Sequence, residues 1–431
     1  MEYFSEGSDT ADISGRRIAE LIDSMVERMG RPGRVLLVPP DFTRYPSGAG
    51  EITCRLYQKF SRDSHVRIIP ALGTHRPMLE AEITAMFPGI PRDVFVDHDW
   101  RGPLARLGEV PADIIEKESE GQLHFSIRWD VNRILLESPW DRIISIGQLL
   151  PHEVSGVSGH CKNIVIGLTG PDAIHKTHFF SAVYGRERIM GRVRSPLRSV
   201  FNYVRENYLR DLPITYVMNV RGPDEKGGLV TRGIYACDGY ESFPEAARLC
   251  QRVNITLLEE PLRKIVVYLD PREYKSTWLG NKAVYRTCCA LADSAELVVI
   301  APGVVEFGED PQIDGLIRTY GYRGKKVLLA AADRNADIRE NLGAAAALIN
   351  GSSNGRFSIT YCTNGLGGGK GLTREEIEGV GYWFAPLAAA LERYDPRSMK
   401  EGFNVMDDGE VVYYIPNPGL GLWALRSQFN E

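Results

Sequence analysis

The sequence predicts an α/β fold: two α/β domains with mainly parallel sheets and an active-site cleft between them. Three observations carry that expectation. The chain has 431 residues, more than a single hydrophobic core usually serves. Short β-branched runs recur along it, several separated by stretches long enough for a helix, the pattern of βαβ units feeding a parallel sheet. Polar clusters follow directly on several of these runs, where ligand-binding groups collect in open parallel sheets.

The elements can be taken in order. Between Asp12 and Met29, the apolar residues Ile13, Ile18, Leu21, Ile22 and Met25 recur at helical spacing, and Gly30, Pro32 and Gly33 end the pattern. Strands are expected from Arg34 to Val38, His65 to Ile69, Asp93 to Val96, Arg142 to Ile146 and Asn163 to Ile166. A second series runs from Lys264 to Leu269, Glu296 to Ile300, Lys326 to Ala331 and Phe357 to Tyr361. The polar stretch Glu259, Glu260, Pro261 lies between the two series. It sets the expected boundary: a first domain over 1–261, a second over 262–409 that closes the cleft, and a tail over 410–431 that packs back on the first.

Composition excludes several classes. A formal charge of -5, with 43% hydrophobic and 25% charged residues, gives no general attraction to nucleic acid or an anionic membrane. The acidic N-terminal stretch (Glu2, Glu6, Asp9, Asp12) is unlike a signal peptide, and no run is apolar enough to span a bilayer, so a cytoplasmic protein is expected. Seven cysteines without CxxC spacing point to reduced core residues rather than a disulfide framework or a thiolate zinc site.

The polar clusters carry the chemistry. PPDFTRYP follows Val38, PALGTHRPM follows Ile69, DHDW follows Val96, and GQLLPHEVSGVSGHCKN follows Ile146. In the first, prolines stiffen a loop holding Asp41, Thr43 and Arg44. A fixed guanidinium there suits a carboxylate or phosphate, and an Asp turn cap with a surface arginine is the plainer alternative. His75, in GTHRP beside Arg76, has the side chain best matched to proton transfer near neutrality, unless it is only a hydrogen-bonded loop residue. His98, between Asp97 and Asp99, has a weaker claim. Of the eight histidines, His152, His160, His175 and His178 crowd one segment. Gly156, Ser158 and Gly159 can offer turn amides to a phosphate. Lys162 stands at the head of an expected strand, where a buried amine with a depressed pKa becomes a nucleophile. The run from Gly365 to Gly371 lacks P-loop spacing and reads as a mobile loop or lid.

Taken together, DFTRYP, GTHRPM, PHEVSGVSGHCKN and the later His178 resemble, in order and spacing, the family of nickel-pincer lactate racemases. The resemblance implies nickel carried by a nickel-pincer nucleotide, pyridinium-3-thioamide-5-thiocarboxylic acid mononucleotide, joined covalently to Lys162. It implies His178 as the nickel ligand, His75 and His152 as the catalytic pair flanking the substrate, and Asp41, Thr43 and Arg44 as cofactor contacts in the first domain. Arg44, Arg76 and Lys282 are the expected substrate contacts. Two positions depart from the family: Gly159, His160 and Cys161 stand where it has a glycine pair and an arginine, and STWLGNKAVY offers Lys282 without the accompanying glutamine.

The activity so implied is that of an isomerase: a racemase or epimerase inverting C2 of a 2-hydroxy acid, with a sugar acid such as an aldonate preferred, by reversible hydride transfer to the lysine-linked cofactor. Its partners are then the small-molecule substrate and the cofactor-biosynthesis proteins that load it. Two other readings stand beside this one: a zinc hydrolase using His152, His175 and His178, and a non-catalytic homologue that binds the ligand without turnover.

Overall fold

The structure, a computed structural model, describes residues 1–137, 139–225, 227–419 and 421–429. It forms two compact units. One comprises Met1–Thr177 with Ile189–Asn254, the other His178–Arg188 with Ile255–Glu431. The second unit therefore starts at Ile255 rather than after Pro261, and it takes in a short segment from the middle of the chain.

The first unit opens with a strand, Glu2–Gly7 (β1), and a helix, Gly15–Met29 (α1). The Ser14 hydroxyl accepts the Arg17 amide at the helix start, and Gly30 ends it at φ 76°. Leu21, Ile22, Met25 and Met29 are buried on one face. Strands Arg34–Val38 (β2), His65–Ile68 (β3), Arg142–Gln148 (β4), Ile214–Pro223 (β5) and Leu229–Cys237 (β6) complete a six-stranded sheet in the order β1-β6-β5-β4-β2-β3. The four from β5 to β3 run parallel, and β6 and β1 are antiparallel additions. Val35, Leu37, Ile68, Ile144 and Ile146 of this sheet pack with Ile22, Met25, Ile52 and Leu56 in one core.

The second unit repeats the plan. Leu262–Tyr268 (β7), Leu291–Ile300 (β8), Ser358–Thr363 (β9), Trp383–Pro386 (β10), Gly402–Val405 (β11) and Val411–Ile415 (β12) form a sheet in the order β10-β9-β8-β7-β12-β11. Only β11 is antiparallel to its neighbour. The described part of the tail belongs to this unit: β12 pairs with β7, and Leu422–Leu425 pairs with Ile255–Leu258.

Three expected strands are otherwise. Pro91 starts a 3₁₀ turn over Arg92–Val94, and only Phe95 bridges to Ile68. Lys326 to Ala331 lies inside a helix, Lys325–Arg334, as its lysines, leucines and alanines favour. Asn163 to Ile166 is also helical, over Lys162–Val165, because the Asn163 amide donates to Ile146 O (2.7 Å) and pins a turn against the end of β4. Short apolar runs do not distinguish the two states by period. Among the described residues no helix is long and apolar enough to cross a membrane, and none of the seven cysteines is in a disulfide, six of them being buried.

Candidate active site

In the first sheet β2 pairs with β3 on one side and β4 on the other, all parallel, so the connections after β2 and β4 part company at a switch point. Ligand sites form at the carboxyl ends of strands at such points. The DFTRYP, GTHRPM and PHEVSG loops all leave this edge.

The loop after β2 turns through a 3₁₀ segment, Phe42–Ser47, into the helix Ala49–Phe60 (α2), with Gly48 at φ 75° between them. Asn219 of β5 donates to Ser47 O (2.7 Å) and Arg221 to Pro46 O (2.6 Å), so the loop is tied to the sheet. The loop after β3 lies alongside: the Ala71 amide donates to Pro39 O (2.8 Å) and the Gly73 amide to Gly167 O (2.9 Å).

These ties bring His75 to Asp41, with Nδ1 and Oδ2 2.7 Å apart. The Thr43 hydroxyl donates to the other carboxylate oxygen (2.6 Å). Asp41 is buried at 5% exposure. Burial alone would raise its pKa, but the His75 hydrogen bond and charge, the Thr43 hydroxyl and the Arg44 charge outweigh it and hold the carboxyl below its ordinary value. An ionised carboxylate fixes the proton on His75 Nδ1 and leaves Nε2 as the acceptor. Half of the His75 side chain is open to solvent.

His152 is held in another way. It sits in a small hairpin in which Pro151–His152 pairs with Gly156–Val157. The Val154 amide donates to His152 Nδ1 (3.0 Å), so the neutral ring carries its proton on Nε2. The Glu153 carboxylate is 3.7 Å from Nδ1.

The expected phosphate cradle is spent on this hairpin. The Ser158 amide donates to Leu150 O and its hydroxyl to Gln148 O (2.9 Å), while that hydroxyl also accepts the Leu150 amide. Gly156, at φ 74°, lies where an added Cβ would meet Arg192 O at 2.2 Å, so it is glycine for want of room. Gly159, at φ 79°, turns the chain toward Lys162 and accepts its amide.

Lys162 is partly buried beside this turn. Its pKa is pushed down to about 8, first by burial and then by the Arg44 charge. Arg198 acts in the same direction, and Glu153 and Asp41 oppose. Roughly a tenth of such amines are unprotonated at pH 7, far more than for an ordinary lysine. The geometry thus gathers Asp41, Thr43, Arg44, His75, His152 and Lys162 around three neighbouring loops.

Other singled-out residues have different company. Arg76 makes two hydrogen bonds to Glu82 (3.0 and 2.6 Å), closing the start of the helix Glu80–Met86 rather than reaching for a substrate. His98 is buried between Thr169 O and the Asn132 amide, and burial lowers its pKa. His160, at φ 56°, points away from the loops: Nε2 meets Gly239 O at 2.7 Å, and the ring stacks on Tyr216 at 3.9 Å. Burial pushes its pKa down to about 3, so it is neutral. His175 lies edge-on to Trp100 in the helix Pro171–Tyr184 (α3). His178, on the same helix, is assigned to the second unit. Lys282 opens the helix Lys282–Thr287 of that unit, 3.9 Å from Glu273. Among the described residues no three of His, Cys, Asp and Glu come together to hold a metal. Arg198 carries no motif and was invisible in the sequence; only its burial marks it.

Comparison with known proteins gives one domain match and matches to solved structures. Residues 15–189 match the lactate racemase N-terminal domain. A Thermotoga maritima protein of known crystal structure is 25% identical, with a TM-score of 0.79, over 98% of this chain and 100% of that one. The lactate racemase apoprotein from Thermoanaerobacterium thermosaccharolyticum shares the fold at 14% identity and a TM-score of 0.68, over 97% of this chain and 94% of that one. No curated protein matches the chain. Three loops at one sheet edge and the match over residues 15–189 thus lead to the same conclusion: the first part of this chain is similar to the lactate racemase N-terminal domain.

Proposed function

We propose that the chain is an isomerase that inverts the C2 centre of a 2-hydroxy acid, with a nickel-pincer nucleotide joined to Lys162 and nickel completed by His178. The observation that carries the reading is the oriented pair Asp41 and His75 beside an amine whose pKa is about 8. A lysine that is partly unprotonated near neutrality fits a group attached through an amide-type bond, because only the free amine is a nucleophile. The chemistry that group supplies when bound is reversible uptake of hydride from C2.

The side chains do the rest. His75 Nε2 takes the hydroxyl proton, and the Asp41 carboxylate steadies the ring as it becomes charged. Arg44, next in line to Thr43, offers a planar cation to the substrate carboxylate. His152, once protonated on Nδ1 as well, returns a proton from Nε2 to the oxygen on the opposite side of C2 and is left neutral. Two groups are needed because a single proton carrier faces one hand of the substrate only.

The test is co-expression with the cofactor-making enzymes, followed by intact mass and nickel analysis. An adduct on Lys162 with one nickel is expected. The loaded protein is then given 2-hydroxy acids in heavy water, where loss of optical rotation with little deuterium at C2 supports the hydride route. An unmodified mass after loading, or no inversion of any acid by the loaded protein, overturns the proposal.

A further inference from the structure

Arg198 is a guanidinium in an apolar place without a carboxylate. It lies in the helix Pro196–Val204 (α4) and is 2% exposed. One terminal nitrogen donates to Val157 O, the other approaches Cys161 Sγ at 3.8 Å, and Nε is buried with no partner. Its charge stands over the ring of Phe243 at 4.5 Å. Among the described residues no acidic side chain comes within ion-pairing distance of it. A buried charge so placed is expensive unless the fold uses its field. The ionisable groups of the neighbouring turn that feel its charge are Cys161, which it touches, His160 and Lys162.

We propose that Arg198 is a positioning residue for Lys162: its unneutralised charge, buried behind the Cys161–Lys162 turn, disfavours a second cation there and keeps the lysine amine available for acylation. The groups that face Lys162 are few. Arg44, from the loop after β2, adds to the effect of Arg198, whereas Asp41 from the same loop and Glu153 from the hairpin oppose it. Asp41 is already engaged by His75 and Thr43. His160, beside the turn, is neutral and adds no charge. The direction found for Lys162, down from the ordinary lysine range, agrees with that balance. The purpose rests on Lys162 as the attachment point, but the charge effect does not, and it can be measured on protein that carries no cofactor.

The probe is trace acetic anhydride from pH 6 to 10. The acetyl carbon bonds to Nζ, acetate leaves, and the amine proton passes to water. Acetylation of Lys162 is read by peptide mass spectrometry against the exposed Lys117 and Lys400. Lys162 is expected to react with a midpoint near pH 8, and Arg198→Met is expected to move it up, by less than Arg44→Met does, with Arg198→Lys restoring it. Arg198→Gln, which keeps a donor for Val157 O, makes the same comparison where the methionine variant does not fold. An unshifted midpoint in a folded, charge-free variant overturns the inference. If the midpoint shifts but loading never modifies Lys162, the charge effect stands and the proposed attachment fails.

Discussion

His75 and His152 stand on loops that leave strands on either side of β2, yet their rings are held by unlike partners. A buried carboxylate accepts a hydrogen bond from Nδ1–H of His75, whereas a backbone amide donates to Nδ1 of His152. The first arrangement steadies a charged ring, and the second favours a neutral one. Under the proposed function His75 would take up the hydroxyl proton of one enantiomer readily, whereas His152 would have to give up its Val154 bond and take a proton on Nδ1 before it could return one from Nε2. Two histidines in one site need not be interchangeable, and their backbone and carboxylate partners say which is which.

The largest expected effect is at His75. His75→Ala should lower kcat for inversion by about 10²–10⁴-fold, with the Lys162 adduct still present by mass. Exchange for glutamine separates the pair more sharply, since glutamine keeps an N–H donor but takes up no proton. His152→Gln should retain at least about tenfold more activity than His75→Gln, given what a positioned acid or base contributes. Equal losses would mean that the two rings play one role.

Next comes the carboxylate. Asp41→Asn leaves the shape but removes the charge, and should cost about 10²-fold in kcat, less than loss of the ring itself. The sign of its pH effect follows from its depressed pKa: the contribution of Asp41 to stability is full above the unfolded carboxyl value and is lost as pH falls through the lower folded value. Thr43→Val is the smallest of this group. It removes one hydrogen bond to Asp41, worth about 1 kcal/mol, and should slow the reaction roughly fivefold.

The other buried histidine of the His152 segment, His160, sharpens the contrast through stability. His160 stays neutral down to about pH 3 in the fold, while the unfolded ring takes a proton near 6.5. Its contribution is thus complete above about pH 6.5 and falls away as pH drops toward 3, amounting to on the order of 5 kcal/mol. Denaturant unfolding as a function of pH should show that acid loss, and His160→Asn, which tolerates the positive φ, should flatten it without altering inversion.

Much of this was legible beforehand. The α1 helix and the strands β2, β3, β4, β7, β8 and β9 follow from period and β-branching, and the polar loops after β2, β3 and β4 mark the sheet edge. The turn at Lys162 was read as a strand because a four-residue apolar run has no period of its own; the Asn163 side chain, reaching Ile146 O, decides it. Ser158 resembled part of a phosphate loop by composition, but its hydroxyl is consumed by the hairpin. Arg198 lay outside every motif because its meaning depends on what surrounds it, and no local pattern records the absence of a carboxylate.

Arg186, in the segment His178–Arg188, is buried in the second unit. Its guanidinium donates to Asn350 O (2.6 Å), Ile349 O (3.2 Å) and Ser352 O (2.7 Å), at the end of the helix Leu342–Asn350. The practical consequence concerns how the protein can be cut. A fragment beginning at Ile255 would leave those carbonyls bare in an apolar interior, and one ending at Asn254 would carry the arginine away from them. The second unit is a domain only when lent eleven residues from elsewhere in the chain, so dissection of this protein calls for a transplanted segment or a circular permutation rather than a single scission.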